Sequence, residues 1–175
     1  MKKILIIEDN GSLYTEIKNR LESKGYAVYY AYSYVSALDR LEEEKEDFSC
    51  IILDLQINPT GLSIEENEKY TALFGMAVLQ YLLKDKTEEV KISWRKKIII
   101  YSGYTMDLKN RSLYTPEWNL KNLTIIPKKA NSIKTETRNL LEPLGSEQVP
   151  GFVQYLCRKL LCSKGAGNSK IQITA

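Results

Sequence analysis

Five short apolar runs rich in β-branched residues or tyrosine, at residues 4–7, 26–32, 50–53, 98–101 and 123–126, restrict what this chain can fold into more than any other feature. A strand covered on both faces reads as an unbroken apolar run, which is the signature of a parallel sheet between two layers of helices. Between the runs, apolar residues return at helical spacing: Leu13, Ile17 and Leu21 after the first, Val35, Leu38 and Leu41 after the second. Asn10, Gly11 and Ser12 offer caps for the first of these helices, Gly25 a stop, and Ser33 a cap for the second. The third run leads into the turn cluster Asn58, Pro59, Thr60 and Gly61, then a long polar connection, then a dense apolar helix over residues 73–83. Residues 105–121 carry only a weak helical pattern in Met106, Leu108, Leu113 and Trp118. A last helix uses Phe152, Val153, Leu156 and Leu160, with Leu140 and Leu141 as further apolar positions. This alternation predicts an α/β fold with a doubly wound, five-stranded parallel sheet and an enlarged connection between the third strand and the third helix.

A chain of 175 residues is one domain by length. At 43% hydrophobic and 27% charged it has the composition of a soluble globular protein, and no apolar run approaches membrane-spanning length. Met1, Lys2 and Lys3 precede only four apolar residues, too few for a signal peptide, so a cytoplasmic location is expected. Cys50, Cys157 and Cys162 are odd in number and lack metal-ligand spacing, so they read as core thiols. The net charge of +3 is mild; its densest basic groups are Arg95, Lys96 and Lys97 and the pair Lys128 and Lys129, and no nucleic-acid binding is expected from it. Histidine is absent, which excludes Ser-His-Asp and Cys-His catalysis and any phosphohistidine relay within the chain.

What the runs lead into is more telling than the runs themselves. Glu8 and Asp9 follow the first, Asp54 the third, Ser102 and Gly103 the fourth, Lys128 the fifth. Open parallel sheets place their chemistry at the carboxyl ends of their strands. One acid at a strand end is ordinary, but chemically suggestive groups after four strands form a constellation. Asp9 and Asp54 suit magnesium, which takes one or two carboxylates and keeps its remaining positions for water and phosphate oxygens. The tyrosines between residues 26 and 34 fit either a half-exposed edge strand or a recognition surface.

Through Ile7, Glu8 and Asp9, through Leu53, Asp54 and Leu55, through Tyr101, Ser102 and Gly103, and through Lys128, the sequence resembles the receiver domain of two-component response regulators, over roughly residues 1–160. The resemblance implies a flavodoxin-like (βα)5 three-layer sandwich of the CheY-like kind, with a receiver domain at 1–162 and a flexible tail at 163–175. It implies that Asp54 is the phosphoacceptor, that Asp9 and the Gln56 backbone carbonyl join Asp54 on a magnesium ion, and that Glu8 acts there mostly through water. Ser102 would be the hydroxyl that moves to the phosphoryl group and Lys128 the cation that pairs with it. The partners implied are a histidine kinase or histidine phosphotransfer protein and a downstream protein; the short remainder after the last helix suggests a stand-alone receiver, signalling by contact and not turning over substrate.

Residues 104–150 match the family poorly, and further departures are local. The connection between Asp54 and Ser102 is longer than usual, around residues 59–75 and 85–95. Pro127 precedes Lys128 where the family has proline after its lysine, so Lys129 is the alternative to Lys128. Ile125 occupies the usual aromatic switch position, for which Tyr101 or Tyr104 are candidate substitutes. The alternatives are a receiver-like binding module without phosphorylation control, and an aspartyl-phosphate phosphohydrolase; the latter wants an acid where this chain has Gln56.

Overall fold

A computed structural model describes residues 1–43, 48–70, 72–103, 123–128 and 148–162. The weak helical pattern at 105–121, Tyr104, Leu140, Leu141, Lys129 and the segment from 163 onward lie outside the described residues. Five parallel strands, β1 (Lys3–Ile7), β2 (Ala27–Ala31), β3 (Phe48–Leu53), β4 (Ile98–Ser102) and β5 (Thr124–Pro127), form one sheet in the order β2-β1-β3-β4-β5. Six helices are described: α1 (Gly11–Glu22), α2 (Tyr34–Glu43), α3 (Ile64–Tyr70), α4 (Gly75–Leu83), α5 (Glu88–Lys97) and α6 (Gln148–Cys162). None is long and apolar enough to cross a membrane.

The apolar runs form the sheet because alternate residues of each strand are buried on opposite faces. Leu5, Ile7, Ile51, Leu53, Ile98 and Ile100 pack with α2, α4 and Trp94 of α5, whereas Ile4, Ile6, Cys50, Ile52, Ile99 and Tyr101 pack with α1 and α6. Full burial of such a side chain contributes about 1.5–3 kcal/mol. The chain leaves β1 toward β2 on one side and returns on the other as β3, so strand order reverses at β1 and β3. The connections after these two strands part there, opening a crevice at their carboxyl ends.

The tyrosines of β2 do lie on an edge strand. Tyr30 stacks on Tyr14 of α1 with centroids 3.7 Å apart, Tyr29 meets Phe48 edge to face, and Tyr32 remains 53% exposed.

Two expectations need correction. The polar connection after β3 carries a helix, α3, with Tyr70 buried at its end. Val35 does not share the inner face of α2: Ala37 and Leu41 are buried while Val35 is exposed at the start of the helix, beside the turn at Asn58 to Gly61. Carbonyls of Asn58 and Thr60 accept the Tyr34 and Val35 N–H groups, both at 3.1 Å, satisfying first-turn donors that a helix leaves unpaired. A Cβ at Gly61, where φ is +98°, would come within 2.7 Å of the Val35 Cβ, so glycine suits this turn on both counts. The extra length at 85–95 is taken up by a further helix, α5. Its markers were local: Thr87 caps it by accepting from Val90, with acids in its first turn and Arg95, Lys96 and Lys97 in its last.

Asn10 caps α1 through its side-chain oxygen, which accepts from the Ser12 and Leu13 N–H groups at 3.1 Å. Asn10→Ala should therefore lower unfolding free energy by about 1 kcal/mol in urea titrations; an unchanged midpoint would remove the cap.

Candidate functional site

Backbone pairing brings the predicted residues together before any side chain is considered. The Glu8 N–H donates to the Ala31 carbonyl at 3.0 Å and the Asp54 N–H to the Ile7 carbonyl at 2.9 Å, carrying the β1–β2 and β1–β3 ladders one residue past the strands. Glu8, Asp9 and Asp54 thus emerge side by side, each with a carboxylate oxygen within 4.8 Å of the others. Glu8 and Asp54 are buried, at 3% and 5% exposure, and Asp9 is exposed. The Glu8 Oε1 accepts from the Asn10 N–H at 3.1 Å, so the cap of α1 also orients the acid. The Asp54 Oδ1 accepts from the Gln56 N–H at 3.2 Å.

Lys128 enters from the other side of the sheet. Its N–H donates to the Ser102 carbonyl at 2.9 Å, continuing the β4–β5 register beyond Pro127. From there its Nζ reaches both Glu8 Oε2 and Asp54 Oδ2 at 2.6 Å and lies 5.6 Å from the centre of the Tyr101 ring. Ser102 is fully buried at the end of β4. Of the residues expected at the site, then, Glu8, Asp9, Asp54 and Lys128 converge through their side chains, Ser102 joins through its carbonyl, and Gln56 contributes its N–H. Glu8, expected to act mostly through water, here makes a direct ion pair. Tyr101 is stacked flat on Phe152 of α6, 3.9 Å between centroids and 7° between planes, which fixes the ring as core packing.

Burial pushes the Glu8 carboxyl up to about 7; Lys128 opposes this and the Asp54 charge adds to it. Asp9 is raised too, by burial and then by Asp54. Burial disfavours the Lys128 ammonium, but Asp54 and Glu8 outweigh it and raise its pKa, so the lysine stays charged. Among the described residues three acids face one cation, which leaves excess negative charge when all ionise. The donors are hard oxygens, with Asp9 reaching solvent. Such a set fits a magnesium- or manganese-type divalent ion and would be relieved by one.

Gly75 was not singled out from the sequence. Its N–H donates to the Leu55 carbonyl at 2.9 Å, seating the start of α4 on the peptide that follows Asp54. A Cβ at Gly75 would fall 2.1 Å from the Asp54 carbonyl oxygen and 2.8 Å from the Leu55 Cα. The one available signal was a glycine near the start of the apolar stretch 73–83.

No family model and no curated protein sequence matches the chain. Its structure does match solved ones. A CheY-like response regulator receiver domain protein from Methanospirillum hungatei JF-1 aligns with a TM-score of 0.56 at 18% identity, over 95% of this chain and 99% of that one. The phosphorylated cyanobacterial phytochrome response regulator RcpA aligns at 0.53 and 19% identity, over 93% and 95%. The Mn2+-bound form of response regulator Rcp1 aligns at 0.52 and 14% identity, over 100% of both chains. The fold is therefore that of the CheY-like receiver domains of response regulators, a five-stranded, flavodoxin-like α/β sandwich, as the strand pattern predicted.

Two outcomes follow from this geometry. Gly75→Ala should destabilise the fold by about 2–3 kcal/mol, since its neighbours are backbone atoms that cannot swing aside; a urea midpoint equal to that of the natural chain would contradict the contact. Glu8, raised above its ordinary value of 4.5, keeps in the folded state a proton that the unfolded chain loses. Metal-free stability should then be highest below about pH 4.5 for this group and fall, by on the order of 3 kcal/mol, as pH rises to about 7. Urea titrations in chelator at several pH values should show Glu8→Gln flattening that fall; parallel profiles would refute the assignment.

Proposed function

We propose that this chain is a phosphorylation-controlled receiver: Asp54 accepts a phosphoryl group from a histidine kinase or histidine phosphotransfer protein, and the change is read by a downstream protein through direct contact, in the cytoplasm. The observation that carries the proposal is a buried Asp54 carboxylate held 2.6 Å from Lys128 and flanked by Glu8 and Asp9, at the strand ends of a receiver fold. These 175 residues contain no histidine, so the donor imidazole lies outside them.

An Asp54 oxygen attacks the phosphorus as the bond to the donor nitrogen breaks, forming an acyl phosphate and releasing imidazole. Positioning and charge stabilisation supply most of the rate in such transfers. Asp9, Asp54 and the Gln56 backbone carbonyl would hold magnesium, with Glu8 beside them. When bound, the ion neutralises charge on the transferring phosphoryl group. Lys128, already at the acceptor, exchanges its contact with a carboxylate oxygen for one with a phosphoryl oxygen. The Ser102 hydroxyl turns toward the new group, and the β4 end with it biases the segment that follows. Gln56 cannot serve as the acid/base of a phosphohydrolase, so the phosphoryl group is accepted and lost slowly with no substrate turnover. A binding module that has lost phosphorylation is disfavoured by the complete carboxylate and lysine set.

Incubation with acetyl phosphate and magnesium chloride should add the mass of one phosphoryl group to the intact chain, and chelator or Asp54→Asn should abolish it. Lys128→Met should slow the reaction about a hundredfold. No added mass, or mass that survives Asp54→Asn, would overturn the reading.

A further inference from the structure

At the opposite end of the sheet from Asp54, the starts of β3, β4 and β5 and the ends of α5 and α6 enclose a cleft of about 330 Å³. We propose that it is a binding site for a phosphorylated small molecule with an apolar body, of nucleoside monophosphate size. Four cations, Arg95, Lys96, Lys97 and Lys159, line it, with no acid among the described lining residues. Its floor is apolar, built from Cys50, Ile99 and Leu160. Burial pushes the Cys50 thiol up to about 12, so the floor stays neutral. Ser49 and Thr124 add hydroxyls, and Lys159 donates to the Thr124 hydroxyl.

Helix termini attract cations for their own sake, and Lys96 and Lys97 complement the last carbonyls of α5. Arg95 and Lys159 also stand in the last turns of α5 and α6, but unlike solvated end charges one is buried and the other partly so. Arg95 is only 3% exposed, and its Nε is buried with no hydrogen-bond acceptor among the described residues. Its one ion pair among the described residues, to Glu88 at 3.5 Å, is with a side chain that is itself largely in solvent. A buried guanidinium so thinly compensated is costly, and an anion in the cleft would meet that need with the forked geometry arginine offers phosphate. Lys159 faces it from a different helix, and burial pulls its ammonium below the ordinary value, which a bound anion would reverse. A cleft this small, with an apolar floor, suits a discrete ligand better than the extended basic track that nucleic acid follows. Nothing in this site is shared with the Asp54 cluster.

The test is an amide chemical-shift titration of the whole, unphosphorylated chain with adenosine 5′-monophosphate, with adenosine as the control. The nucleotide should move the amides of Cys50, Ile99 and Thr124, adenosine should not, and Lys159→Gln should weaken binding at least about tenfold. Arg95→Met should abolish it, and both variants should still take a phosphoryl group at Asp54. Should Arg95→Met fail to fold, Lys159→Gln decides, being only half-buried. No shift up to about 5 mM nucleotide, equal shifts with adenosine, shifts centred on Glu8 and Asp54, or binding untouched by Lys159→Gln would each overturn the proposal.

Discussion

Lys128 Nζ lies 2.6 Å from Glu8 and 2.6 Å from Asp54, and the carboxyl end of the sheet depends on that double ion pair. Two buried acids and a third at their side repel one another, and the cation between the ends of β1 and β3 relieves that repulsion. The ammonium stays in place because its backbone is tied to the Ser102 carbonyl, so the pairing of β4 with β5 sets the electrostatics of β1 and β3. Buried ion pairs of this kind contribute little net stability, since desolvation offsets most of the attraction, whereas breaking one by removing a partner costs about 3–5 kcal/mol. A fold that keeps such an arrangement is holding charge in readiness for something that alters it.

Much of this architecture was legible in the sequence because parallel strands announce themselves. Residues 4–7, 50–53 and 98–101 are apolar without interruption since helices cover both of their faces, and Glu8, Asp54 and Ser102 mark where that cover ends. Lys128 could be chosen over Lys129 by counting register from the fifth run, and the pairing of Ser102 with Pro127 places it next in line. What stayed hidden was set by contacts distant in sequence. Val35 carries the right spacing for the inner face of α2 yet lies exposed beside the turn at Gly61, and no periodicity reports a turn arriving from another part of the chain. α5 was obscured by its composition: mostly polar, it presents Trp94 and little else to the core, so its caps and end charges were better guides than its apolar residues. Gly75 matters for the atoms it lacks, which pattern alone does not display.

The excursion between Leu55 and Gly75 has a consequence for how such a domain could change. It leaves from Leu55, pins its first turn to α2 through Asn58 and Thr60, passes through α3, and returns to Leu55 through the Gly75 N–H. Its entrance and exit are thus hydrogen-bonded to each other beside the phosphoacceptor candidate. The entropy of closing a loop grows only with the logarithm of its length, roughly 0.6 kcal/mol for each doubling, once the ends are held. The segment beyond that clasp behaves as an exchangeable module: it can lengthen, shorten or take on a new surface while Asp54 stays where β3 puts it. Recognition and chemistry can therefore diverge at different rates in one small domain, with a single glycine guarding the junction between them.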